Sequence, residues 1–122
     1  MLEVVIDRDS VHAGDDMHSH ETSINVEATA TLSVLLDKVQ TLGYLPGIRG
    51  GEATWIICTS ENPIGVLAQQ WSEPKLTVPA DSMVSEYFAG IEPRLLFRYW
   101  CQKNPDQVFD HIKVGNEPPP VY

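Results

Sequence analysis

Residues 53–58, Ala-Thr-Trp-Ile-Ile-Cys, are apolar on both alternating faces. A strand of that kind fits the centre of a sheet rather than its edge. Around it the chain offers shorter segments of clearer polarity. Residues 2–8 alternate, with Leu2, Val4 and Ile6 on one face and Glu3 and Asp7 on the other, which predicts a half-buried strand. Residues 23–28 repeat the pattern, with Ile24, Val26 and Ala28 inward and Asn25 and Glu27 outward. The polar stretch between them is long for a hairpin loop, and long loops are where function concentrates.

Leu32, Leu35, Leu36, Val39 and Leu42 form one helical stripe, begun by Thr29 or Thr31 and stopped at Gly43. Residues 43–51 carry four of the eight glycines and Pro46, so they read as a turn-rich connection. They lack the Gly-Lys-Ser/Thr ending of a phosphate loop. Glu61-Asn62-Pro63 signals a turn, after which 64–71 reads as the return strand of a hairpin. A short strand at 75–78 follows. Asp81 or Ser82 is the expected cap of a short helix carrying Met83, Val84, Tyr87 and Phe88. Residues 94–101 read as a strand with Leu95, Phe97, Tyr99 and Cys101 on one face and Arg94 and Arg98 on the other. Asn104-Pro105, with Gln107 at N3, opens a last helix whose stripe is Val108, Phe109 and Ile112.

The predicted order is β-β-α-β-β-β-α-β-α. It reads as one α+β domain over residues 1–115, with about three helices covering one face of a mainly antiparallel or mixed sheet. Residues 116–122, with three consecutive prolines, read as an extended tail. The opening hairpin and helix resemble, in element order, the start of a β-grasp.

Charge narrows the function. The 122 residues carry 17 acids and 8 bases, a formal net charge of -9. Residues 1–37 hold eight of the acids and a single base, Arg8, so they account for -7 of that total. Nucleic-acid binding needs clustered Lys and Arg, and the chain has no such cluster. An anionic membrane is disfavoured for the same reason. Asymmetry of this size suggests a surface for a cation or a basic partner. The N-terminus lacks a basic n-region and an apolar h-region, and no stretch reaches the ~20 apolar residues of a membrane span. Cys58 and Cys101 lie in apolar runs and are expected as buried thiols of a reduced, cytoplasmic protein, with a Cys58–Cys101 bridge left open.

The densest chemistry is His12-Ala-Gly-Asp-Asp-Met-His-Ser-His20. His12, Asp15, Asp16, His18 and His20 are potential ligands for zinc or a similar ion. Their spacing matches no zinc signature, and a polar hairpin loop, with Gly14-Asp15 making a turn, is the favoured reading of them. The chain has neither a Gly-x-Ser-x-Gly elbow nor a His-Glu-x-x-His motif, so no catalytic residue is assigned and no cofactor is expected. Among the aromatics, Trp71 and Trp100 are the expected interface anchors, since Trp is enriched in binding hot spots.

The runs Tyr44-Leu-Pro-Gly-Ile-Arg-Gly-Gly-Glu-Ala-Thr-Trp-Ile-Ile and Val66-Leu-Ala-Gln-Gln-Trp71, in a small acidic α+β chain, resemble the immunity proteins of bacterial polymorphic toxin and contact-dependent growth inhibition systems. That resemblance spans about residues 1–114. It implies a non-enzymatic cytoplasmic protein that binds one cognate toxin 1:1, often a nuclease, and blocks it. The expected contact residues are Asp9, Asp15, Asp16, Glu21, Trp71 and Trp100. Two alternatives stand beside it: a metal-binding protein or metal-dependent enzyme built on the 12–20 loop, and a β-grasp-like interaction or assembly protein.

Overall fold

A computed structural model describes residues 1–11, 19–46, 51–60 and 62–119. Its elements run β1 (Leu2–Arg8), β2 (Thr22–Val26), α1 (Leu32–Thr41), β3 (Thr54–Thr59), β4 (Asn62–Ala68), β5 (Lys75–Leu76), α2 (Val84–Tyr87), β6 (Arg94–Tyr99) and α3 (Pro105–Lys113). The class is α+β, in the expected element order. The six strands form one sheet in the order β2-β1-β6-β3-β4-β5. Among the described strands only β1 and β6 pair in parallel; every other neighbouring pair is antiparallel.

The two-faced run lies where its composition demands. All six residues of β3 are buried, between β6 and β4. On one face Trp55 and Ile57 join Val4, Ile6, Leu95 and Phe97 under the stripe of α1, with Val84 of α2. On the other, Ile56 and Cys58 join Val66 under Val108 and Ile112 of α3. The helices therefore cover both faces, not one. The stripe of α3 packs on the second face of β3, which is as apolar as the first. Burying a large aliphatic or aromatic side chain contributes roughly 1.5–3 kcal/mol, so neither face of β3 could stay wet at tolerable cost.

Helix ends follow local chemistry. Thr31 Oγ1 accepts from the Val34 backbone N–H and starts α1. Asn104 Oδ1 accepts from the N–H groups of Asp106 and Gln107, with Pro105 in the first turn of α3. α2 differs from expectation. Its cap residue is Met83, with no side-chain bond, because Thr31 and Met83 form a β-bridge and backbone N–H groups of 84 and 85 reach Ala30 and Ala28 carbonyls. Backbone pairing replaces the cap expected from Asp81 or Ser82.

Several boundaries are also corrected. β2 ends at Val26, leaving Ala28 exposed in a turn, and Leu42 is 59% exposed beyond the last turn of α1. β4 starts at Asn62 and stops at Ala68, so Trp71 lies past it. β5 spans two residues rather than four. β6 stops at Tyr99. Cys101 then takes φ +55°, a left-handed conformation that turns it out of line with Leu95 and Phe97. Cys101 is accordingly exposed, Cys58 is buried, and both are free thiols.

β3 and β4 do not pair evenly. Ile57 faces Gly65 but Cys58 faces Pro63, so Ile64 is an extra residue. This bulge turns Ile64 into the α1 side of the core, on the same side as Leu67. Gly65 next to it sits against β5. A Cβ there would lie 2.5 Å from Leu76 Cδ2 and 2.6 Å from the Lys75 carbonyl oxygen. Only glycine lets β5 approach this closely.

Candidate functional site

The register gathers the described candidate residues at one end of the sheet. β1 runs towards Asp9 while β2 runs away from Glu21, because Ile6 pairs with Thr22. β6 is parallel to β1 and so delivers Trp100 to the same end. β4 is antiparallel to β3, which is antiparallel to β6, so the chain leaving Ala68 for Trp71 emerges there too. Asp9, Glu21, Trp71 and Trp100 thus ring one end of the molecule. His12, Asp15, Asp16 and His18 lie outside the described residues.

Each of the four is engaged. Asp9 is exposed, yet its Oδ2 accepts the Tyr99 backbone N–H at 3.0 Å, and its own N–H donates to the Phe97 carbonyl. It continues the β1–β6 pairing beyond the strand. Glu21 Oε1 accepts from Arg94 Nη1 at 2.9 Å, and Arg94 Nη2 lies 3.4 Å from Asp7 Oδ2. Two carboxylates of the acidic third therefore share one arginine from β6. Neutralisation of this kind was illegible in a sequence where the partners are 73 and 87 residues apart.

Both tryptophans are half-buried and just outside strands. The Trp71 ring is capped by Lys75 Nζ at 4.8 Å from its centroid, and Lys75 also pairs with Asp106 of α3. The Trp100 ring carries Arg98 at 4.9 Å, and its Nε1–H donates to the Pro119 carbonyl at 2.6 Å. The tail therefore folds back across Trp100. His111 Nδ1 lies 3.0 Å from the Glu117 carbonyl and the Asn116 N–H donates to the His111 carbonyl, which turns the chain at the end of α3.

The described residues Ser10, His20 and Tyr44 are joined to one another. Ser10 Oγ lies 3.1 Å from His20 Nε2, and the Tyr44 hydroxyl donates to the His20 carbonyl. Tyr44 packs edge-on against Phe97 and under the Arg8 guanidinium. Burial, helped by the negative charge of Asp7, pushes its phenol up to about 12. It stays a neutral donor. Ser10 and His20 have the separation of a nucleophile and base, but such a pair also needs donors aimed at a developing oxyanion.

No group of three or more His, Cys, Asp or Glu among the described residues is placed to hold a metal ion. The Cys58 thiol, pushed up to about 11 by burial and moderated by Arg98, is poorly suited to be a nucleophile. No described helix is long and apolar enough to cross a membrane. Comparison with protein families, curated proteins and solved structures finds no match to this chain.

Proposed function

We propose that the protein is a binding module for a basic protein partner, acting as an immunity protein that neutralises a cognate toxin 1:1 by covering its active surface. The observation that carries this reading is the convergence of Asp9 and Glu21 with Trp71 and Trp100 at one sheet end. An acidic rim with aromatic anchors is what a charge-steered interface requires: charge speeds and orients the encounter, and a few desolvated rings hold it. A nuclease toxin suits the surface because its own substrate obliges it to be basic. Arg94 trims this field without cancelling it, since it serves Asp7 and Glu21 together. The reading places the protein in the cytoplasm, where such a toxin would act.

The test is association of the purified chain with a basic toxin encoded beside its gene. A 1:1 complex is expected, with an association rate that falls as salt rises. The double substitution Asp15→Asn and Asp16→Asn should slow association several-fold while leaving the melting temperature unchanged. A salt-independent association rate, or an unaltered rate in the double variant, refutes this docking surface.

A further inference from the structure

We propose that the α3 side of the sheet carries a site for a proline-rich segment of a protein partner, filled here by the chain's own tail. The site shares Trp100 with the toxin-binding reading but does not rest on it.

The seat is Trp100. It follows β6, is half-buried, and packs against the apolar layer that α3 shares with β3. The Arg98 guanidinium lies over its ring, 4.9 Å from the centroid. Its Nε1–H donates to the Pro119 carbonyl at 2.6 Å. An indole N–H can only donate, and a proline backbone has only a carbonyl to offer, so the two are matched. The second holding point is on α3. His111 Nδ1 lies 3.0 Å from the Glu117 carbonyl, and because a carbonyl only accepts, this nitrogen carries the proton. Pro118 and Pro119 are half-buried, whereas Glu117 is exposed. Residues 116–119 form neither helix nor strand. Prolines beside an aromatic ring, with donors on the main-chain carbonyls, are how polyproline-type segments are generally recognised.

Two features make the tail exchangeable. Both bonds reach main-chain carbonyls, which every proline-rich segment presents. The tail also leaves the fold at Gly115, at φ +82°, beyond the last element, so its departure takes apart no described helix or strand. Proline is selected over a flexible sequence because its restricted backbone loses little freedom on docking.

The probe is the tail sequence supplied in trans: the peptide Asn-Glu-Pro-Pro-Pro-Val-Tyr, dye-labelled at its N-terminus and titrated into the full-length chain. Anisotropy reports binding, and the indole N–H signals of the three tryptophans locate it. A tail closed about nine-tenths of the time weakens the peptide about tenfold. Pro118→Gly with Pro119→Gly loosens the tail and leaves the seat intact. Closure should fall roughly four- to thirtyfold from the freedom that two prolines withhold. The full-length variant should then bind the peptide roughly three- to eightfold more tightly than the native chain. The indole signal that moves should be that of Trp100. Adding Trp100→Phe, which keeps a ring and removes the donor, should weaken this binding roughly two- to tenfold. The peptide Asn-Glu-Gly-Gly-Gly-Val-Tyr should bind the glycine variant at least about eightfold more weakly. No binding by that variant, binding no tighter than to the native chain, equal binding of the glycine peptide, or an unmoved Trp100 indole each overturns the proposal.

Discussion

Gly65→Ala tests the packing of the sheet edge most directly. The new methyl carbon would meet the Lys75 carbonyl oxygen at 2.6 Å, where ordinary contact begins at 3.4 Å, so β5 must retreat by about 0.8 Å. The Leu76 methyl at 2.5 Å can rotate away, but a backbone oxygen can move only with its strand. Retreat loosens the Thr77 N–H to Ile64 carbonyl bond, now 2.8 Å, and the pairing of Gly65 with Leu76. Overpacking of this kind costs roughly 1–3 kcal/mol. Against it stands the smaller entropy of an unfolded chain with Ala, worth roughly 0.4–1 kcal/mol. The net expectation is about 1–2 kcal/mol of destabilisation. For a domain of this size that lowers the melting temperature by about 4–8 °C. Thermal melts followed by circular dichroism measure it, and hydrogen exchange at Leu76 and Thr77 locates it. Adding Leu76→Ala should rescue little, because the backbone clash remains. A melting temperature that stays level or rises, or full rescue by the second substitution, refutes the argument that β5 requires a glycine opposite it.

Other expectations follow from single contacts. Cys101 is exposed and Cys58 buried with a raised pKa, so a thiol reagent at pH 8 should modify one cysteine in the native protein and the second only on unfolding; two fast thiols would contradict the burial. Cys101→Gly should raise stability by roughly 0.5–1 kcal/mol in a denaturant melt, since glycine adopts the φ of +55° without strain; a loss of stability would show that the Cys101 side chain contributes more than its backbone costs. The Tyr44 phenol, ordinarily titrating near 10, is raised in the folded state to about 12. Its contribution to stability is complete below pH 10 and is lost as pH rises through about 12. Absorbance at 295 nm should therefore show a late phenolate that disappears in Tyr44→Phe. Truncation after Gly115 removes the Pro119 carbonyl from Trp100, so tryptophan emission should shift to the red and quench more readily with acrylamide; unchanged emission would mean the tail leaves the ring as exposed as before.

Local signals in the sequence carry local structure well and stop at the first long-range contact. Thr31, Asn104, Pro105 and Gly115 act at helix ends through neighbours a few residues away, and they stand where their chemistry points. Asp81 and Ser82 have the same capping chemistry, yet a β-bridge between Thr31 and Met83 takes the position over. The sheet end shows the same division. That Asp9 and Glu21 flank one loop is readable from two alternating strands. That Asp9 is tied to Tyr99, Glu21 to Arg94 and Trp100 to Pro119 depends on which strands become neighbours. The bulge at Ile64 is illegible for a related reason, because the residue breaks no local pattern and its extra position exists only relative to β3.

The helix layer is a different case, because its placement follows from residues already read correctly. A strand with Trp55 and Ile57 on one face and Ile56 and Cys58 on the other needs an apolar cover on each. The sequence offers two long amphipathic helices, α1 and α3, each with one stripe. One stripe fills one face, so two helices on a single face would leave half of β3 in water. The outward residues of β1 and β2 settle how far the second layer extends. Glu3, Asp7, Ser23 and Asn25 are polar, so nothing draws α3 across them, and it stays over β3 and β4 where Ile56, Cys58 and Val66 lie. Arg94 and Arg98 of β6 border the open half, Arg94 binding Asp7 and Glu21 and Arg98 lying over Trp100. An Arg94→Leu substitution would separate the two roles of this border. Stability should fall by no more than about 1 kcal/mol, as for an exposed ion pair, while association with a basic partner should quicken because two carboxylates are released. Slower association in that variant would mean that Arg94 orders the acidic rim instead of masking it.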